Sequence, residues 1–119
     1  MTPYECDVRR ILYNNLKNAA NRGYVFYVGP EIEFFLFRNA ESTEFLDRGG
    51  YFDLTPLDIA SDIRRQMVLT LEEMGISVKS SHHEGAPSQH EIDLRHDDAL
   101  TTADNIMRSE EHTSELQSP

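Results

Sequence analysis

Among 119 residues there is a single cysteine, Cys6. No internal disulfide can form, a Cys-x-x-Cys metal or redox motif is excluded, and a reducing cytoplasm is the expected compartment. Basic residues are scarce as well, 11 Lys and Arg against 21 Asp and Glu, for a formal net charge of −10. That balance argues against nucleic acid or an anionic membrane as partner, since both are bound through a basic face, and it suits cations. No apolar run is long enough to span a bilayer, and the polar start lacks the apolar stretch of a signal peptide. Internal repeats and low-complexity segments are also missing. What remains is 39% hydrophobic and 27% charged, the composition of a soluble globular protein with length for one core but not two.

The helices announce themselves through their starts. Thr2-Pro3-Tyr4-Glu5 reads as an N-cap, a first helical proline and a capping-box glutamate. Val8, Ile11, Leu12, Leu16, Ala19 and Ala20 follow at helical spacing up to Gly23, predicting a support helix. Thr55-Pro56-Leu57-Asp58 repeats that grammar ahead of Ala60, Ile63, Met67, Leu71 and Met74, which share one face. Asp62, Arg64, Arg65, Glu72 and Glu73 are expected on the polar remainder, and Gly75 supplies the stop. Asp97 or Asp98 is placed to cap a last helix containing Ala99, Leu100, Ala103 and Ile106.

Between the helices lie strand patterns. Tyr24 to Val28 is rich in β-formers, and Ile32 to Phe37, apolar on both faces, suits a central strand covered on both sides. Asn39 to Gly50 reads as a surface loop or hairpin end, Tyr51-Phe52 as a brief aromatic element, and Ile76-Ser77-Val78 resumes a strand. After a turn at Gly85-Ala86-Pro87-Ser88, residues Gln89 to Arg95 alternate, with Gln89, Glu91, Asp93 and Arg95 on the polar face.

Glu31 and Glu33 stand at i and i+2 at the head of an aromatic strand, so both point to one face. At about 4 Å two such charges repel by about 1 kcal/mol in bulk water and about 4 kcal/mol at an effective dielectric of about 20. A half-buried pair therefore takes up a proton or recruits a cation. For an isolated Glu-x-Glu the alternative stands that one Glu is exposed and the other pairs with an Arg. A second acidic pair, Glu84 and Glu91, flanks the turn between two strand-like segments. If those strands neighbour the first, four carboxylates converge, with His82, His83 and His90 nearby. Such a donor set suits Mg2+ or Mn2+ better than zinc or copper.

Gly-Pro-Glu-Ile-Glu-Phe-Phe-Leu-Phe at 29–37, Gly-Gly-Tyr-Phe-Asp at 49–53 and His-His-Glu-Gly-Ala-Pro-Ser-Gln-His-Glu-Ile-Asp at 82–93 together resemble class I glutamine synthetase. The likeness runs from the first helix to Met107 and covers the early part of that family's catalytic domain. It implies an α+β fold, mainly antiparallel sheet with flanking helices, and ligation of ammonia to glutamate with ATP through γ-glutamyl phosphate. Glu33, Glu84 and Glu91 match the ligands of the metal at the glutamate and ammonium end, and Glu31 matches a ligand of a second metal at the nucleotide phosphates. His83 corresponds to a neighbour of the ligands or substrate, with plain packing as its alternative. Lys79 stands on the nucleotide side, where many members carry an acidic residue. Ser88 occupies a position that is often Gly, which matters if the turn demands a positive φ.

The resemblance further implies a cytoplasmic homo-oligomer, a dodecamer in the intact family member. Two rivals share these carboxylates: a related ligase joining glutamate to a polyamine or other amine, and a non-catalytic structural or metal-binding relative. The family's remaining metal ligands, its phosphate-binding arginines and an aspartate from a neighbouring subunit are not among these residues. The chain alone is therefore expected to be inactive and at most a weak metal binder, and, with neighbouring strands absent, to expose apolar surface on its aromatic strand and to aggregate. Residues 1–107 read as the partial catalytic domain. Residues 108–119 resemble a translated sequencing adapter and are expected to be non-native, interrupting the last helix.

Overall fold

A computed structural model describes residues 4–53 and 59–116. Three helices, α1 (Val8–Asn21), α2 (Ile59–Glu73) and α3 (Ala99–Leu116), accompany five strands. These are β1 (Tyr27–Val28), β2 (Glu31–Phe35), β3 (Val78–His83), β4 (Gln89–Leu94) and β5 (Asp97–Asp98). The main sheet is antiparallel in the order β2-β4-β3, and β1 pairs with β5 in a small second sheet. The architecture is the α+β arrangement expected. No helix among the described residues is long and apolar enough to cross a membrane.

One face of the main sheet is core. Ile92 and Leu94 of β4, with Leu36, pack against Ala60, Met67 and Leu71 of α2 and against Ile76, while Ile32 and Phe34 of β2 pack at its margin. The face predicted for α2 is thus the buried one, and Gly75 ends the segment at φ +80°, a conformation glycine adopts without a Cβ penalty. Strand alternation then sends Glu31, Glu33, Glu91 and Asp93 to the opposite face. The capping residues expected at 55–58 lie outside the described residues, as do Thr2 and Pro3.

Several expectations are corrected. α1 begins at Val8 with Asp7 as its cap, the carboxylate accepting from the Arg9 amide (3.0 Å), because Tyr4 to Asp7 closes a turn first. No α1 residue is buried; the helix meets α3 and is tied to it by Arg9–Asp104 (2.9 Å). The aromatic strand is an edge strand, with β4 in the centre, and Phe35, Phe37 and Phe45 stack on one another in an exposed row. Of Tyr24 to Val28 only the last two residues pair as a strand. Arg64 leaves the polar face of α2 and is buried. α3 is not interrupted at Met107: no Gly or Pro intervenes before Leu116, Ser109 is buried with its hydroxyl on the Ile106 carbonyl (2.7 Å), and Arg108 reaches the Met74 carbonyl (3.3 Å).

The loop after β2 is fastened to the sheet by a buried polar network that the sequence pattern gave no hint of. Asp47 accepts from Nε2 of His83 and from Nε2 of His90 (2.8 Å), and also from the amides of Gly49 (3.0 Å) and Ser88 (3.2 Å). Arg64 donates to Nδ1 of His90 (2.6 Å) and to the Ser81 hydroxyl (2.7 Å), so α2 holds the same histidine from its other side. Burial pushes the Asp47 carboxyl up, but the donors from His83, His90, Gly49 and Ser88 outweigh it and bring it down to about 2.

Two measurements follow from this arrangement. In urea denaturation, Met67→Ala is expected to cost about 2–5 kcal/mol, as for other buried large-to-alanine changes. Phe37→Ala, in the exposed stack, should cost no more than about 1.5 kcal/mol despite removing a larger side chain. Because Asp47 is depressed in the folded state, its contribution is fully present above about pH 4 and is lost as pH falls through about 2. Wild type should lose about 2 kcal/mol across that interval on this account, and Asp47→Asn should lack that part of the acid fall. An unchanged acid limb in Asp47→Asn contradicts the assignment.

Candidate metal site on the open sheet face

The open face is organised by register. Glu33 lies opposite Glu91, which lies opposite His82, making one row across three strands. The next row is Glu31, Asp93 and Ser80. A bulge between Val78 and Ser80 sets Lys79 outside this pairing. Just past the end of β3, the Glu84 amide donates to the Gln89 carbonyl (2.7 Å), closing the turn that returns the chain to β4.

Two groups of potential ligands result on this face; Asp47, His83 and His90 form a third on the buried face, bonded to one another. Nε2 of His82 lies 2.8 Å from Glu84 and 3.4 Å from Glu91, and atoms of all three residues fall within 4.8 Å of one another. Glu31, Glu91 and Asp93 form the second group under the same 4.8 Å limit. Glu91 belongs to both and is buried, 6% exposed. Glu33 joins neither group; its carboxylate accepts from the Gln89 side-chain amide (3.0 Å). Of the four carboxylates singled out in the sequence, Glu84 and Glu91 meet directly, Glu31 meets Glu91, and Glu33 stands across the strand gap.

The electrostatics reflect the crowding. A hydrogen bond from Glu91 to Asp93, burial, and the nearby charge of Asp93 and Glu84 push the Glu91 carboxyl up to about 8. Glu84 is held down by its bonds to Glu91 and His82. Burial raises Asp93, but its bonds to Glu91 and Ser80 and the charges of His82 and Lys79 bring it below its usual value. Without a cation, the carboxyl at the centre must keep a proton. Nδ1 of His82 and one Asp93 oxygen are also buried without a partner. Converging carboxylate oxygens, one of them on Asp93 without a partner, fit a hard divalent cation such as Mg2+ or Mn2+, with Nε2 of His82 alongside.

The walls are aromatic and basic. Phe52 stacks parallel on His82 at 4.6 Å and holds φ +57°, a conformation uncommon for a bulky side chain, held by its backbone N–H donating to the His83 carbonyl (3.0 Å). Tyr51 meets the same ring edge-on at 5.7 Å. On the other side, Lys79, Glu31, Asp93, Arg95, His96 and Gly29 border an open recess of about 390 Å³. His83 does not face this site: it is buried on the opposite face, bonded to Asp47 and, from Nδ1, to the Glu84 carbonyl (2.6 Å). Ser88 does adopt a positive φ, +60°.

In the sequence His82 reads only as a neighbour of the carboxylates, and Asp93 has no role beyond the polar face of its strand. The i+2 spacing from Glu91 to Asp93 was the available signal. Asp47 carries none, since its partners lie far away along the chain; Phe52 stands in the Gly-Gly-Tyr-Phe-Asp motif, but its contact with His82 is not legible there.

Comparison with known proteins gives a consistent answer. The profile of the family described as glutamine synthetase, catalytic domain, matches residues 5–116. The chain is 50% identical over 109 residues to glutamine synthetase of Methanosarcina mazei, covering 88% of this chain and 24% of that protein. It is 55% identical over 103 residues to the Halobacterium salinarum glutamine synthetase, covering 82% of this chain and 22% of that one. The cryo-EM structure of Plasmodium falciparum glutamine synthetase superposes with a TM-score of 0.79 at 26% identity, over 98% of this chain and 29% of that one. The chain spans about a quarter of the length of the curated relatives it matches. By its motifs, its sheet and its matched length, this chain belongs to the glutamine synthetase family, within the catalytic domain.

Proposed function

We propose that this chain carries the metal-binding carboxylates of an ATP-dependent ligase that joins ammonia to glutamate, forming glutamine through γ-glutamyl phosphate. The observation that supports it most is the meeting of Glu84, Glu91 and His82 within 4.8 Å, with Glu91 driven up to about 8 by its neighbours. Glu84 and Glu91, with Glu33 opposite Glu91, are assigned to the cation at the glutamate and ammonium end. Glu31, on the side of the recess that also contains Lys79, is assigned to the cation at the ATP phosphates, with Lys79 facing the nucleotide. Bound Mg2+ or Mn2+ would neutralise phosphate charge and align the acceptor carboxylate for phosphoryl transfer. Phe52 and Tyr51 restrict the positions His82 can take, so the imidazole stays against the two carboxylates. The rigid sheet holds the oxygens where negative charge from substrate and nucleotide must be offset.

The parent enzyme is proposed to be a cytoplasmic homo-oligomer, a dodecamer, with this chain alone inactive. The adapter-like residues 108–119 stay outside the proposed enzyme, although α3 runs into them.

Mn2+ titration followed by calorimetry and thermal melting tests this reading. At free Mn2+ ten times the dissociation constant, the chain should gain about 1.4 kcal/mol, roughly 5–10 °C in Tm. Glu91→Gln should abolish both the binding heat and the Mn2+-dependent rise without lowering the metal-free Tm. Equal Mn2+ binding by wild type and Glu91→Gln contradicts the metal assignment.

A further inference from the structure

We infer that Asp47 is a positioning residue for the carboxylate site, fixing from the buried face of the sheet the two strand segments that present Glu84 and Glu91 on the open face. The inference rests on the reading of Glu84 and Glu91 as cation ligands.

The chain geometry carries it. His83 precedes Glu84 and His90 precedes Glu91; strand alternation sends His90 to one face and Glu91 to the other, while Glu84, just past the end of β3, turns its carboxylate to His82 on the open face (2.8 Å). His83 and His90 are a register pair, 2% and 0% exposed, with ring centroids 4.6 Å apart. A single carboxylate takes both rings, one oxygen each, so Asp47 ties the two histidines, one from each strand, together at this point of the ladder. Arg64 holds the far nitrogen of His90, and the Glu84 carbonyl holds that of His83. Neither ring can turn without breaking a buried bond, which costs more there than at the surface.

The turn between the two glutamates is clamped by the same residue. The Asp47 amide donates to Oγ of Ser88 (2.9 Å), and Oγ of Ser88 lies 3.2 Å from the Asp47 carbonyl oxygen. Ser88 is fully buried at φ +60°, a backbone state that disfavours a side chain, and its hydroxyl bonds to Asp47 offset that cost. Gly49 completes the fit, since a Cβ there would come within 3.0 Å of Nε2 of His83. Fold stability alone has no need of this arrangement, because an apolar cluster of similar volume stabilises a core as well as a buried charge does. A polar network with every bond directional instead fixes one geometry.

The test compares Mn2+ affinity, read from the electron paramagnetic resonance of free Mn2+, with the metal-free Tm. The chains are wild type, Asp47→Asn, Ser88→Ala, Glu91→Gln and Val68→Ala. Val68 packs at the edge of the core and reports loss of stability alone. Asp47→Asn should weaken Mn2+ binding on the order of tenfold, the scale seen when groups that orient metal ligands are removed. Ser88→Ala should weaken it less, and Val68→Ala should lower Tm while leaving affinity unchanged. Affinity within twofold of wild type in Asp47→Asn, with binding lost in Glu91→Gln, overturns the role of Asp47 and leaves the metal site standing. Affinity falling in Val68→Ala in step with Tm overturns it equally. Unchanged binding in Glu91→Gln removes the metal reading and this inference with it. If Asp47→Asn does not fold, Ser88→Ala decides, and wild-type affinity there counts against the proposal.

Discussion

Side chains alternate along a strand, so the register of β4 against both neighbours decides which residues are core and which form the site. A slip of one residue would bury Glu91 and Asp93 beneath α2 and expose Ile92 and Leu94. The apolar face forbids that slip, because Ile92 and Leu94 pack with Met67 and Leu71. Crowding of carboxylates on the other face is thus imposed by packing on this one. The repulsion at Glu91 is a strain the core sustains, and a cation would relieve it.

The buried histidines join the two faces. His83 and His90 occupy positions where an alternating strand would place apolar residues, and each is paired with a polar partner, as burial requires. Asp47 reaches them from a loop that looks like ordinary surface in sequence. Its low pKa of about 2 is the thermodynamic trace of those bonds. The loop from Phe37 to Gly50 therefore belongs to the sheet energetically, though its isolated bridge, Phe37 with Phe45, is internal to the loop.

Local pattern made much of this legible. The apolar face of α2, the stop at Gly75, the alternation of β4 and the shared face of Glu31 and Glu33 are periodic or capping signals read within a few residues. The motif resemblance added the likeness that the comparisons bear out. Strand order was less accessible: Ile32 to Phe37 reads as central, yet β2 lies at the edge, while the exposure of its aromatic row is what was expected of this chain alone. Hydrophobicity reports that a strand can be covered, and says nothing of which neighbour covers it. The start of α1 moved because Asp7 competes for the cap that the Thr-Pro pattern assigned to Thr2. The bonds of Asp47, the burial of Arg64 and the stacking of Phe52 on His82 are not legible because the partners are remote in sequence, and a lone charge or aromatic residue carries no record of a distant contact. Glu33 was grouped with Glu84 and Glu91 through the resemblance, whereas the structure holds its carboxylate on Gln89.

On the function proposed above, the open sheet face takes a divalent cation between the carboxylates of β4 and the turn after β3. Anomalous diffraction from crystals grown with Mn2+ tests it directly. The account predicts a peak about 2.2 Å from oxygens of Glu84 and Glu91, within the usual range for oxygen ligands. A peak elsewhere, or none at these residues with Mn2+ in excess, would contradict it.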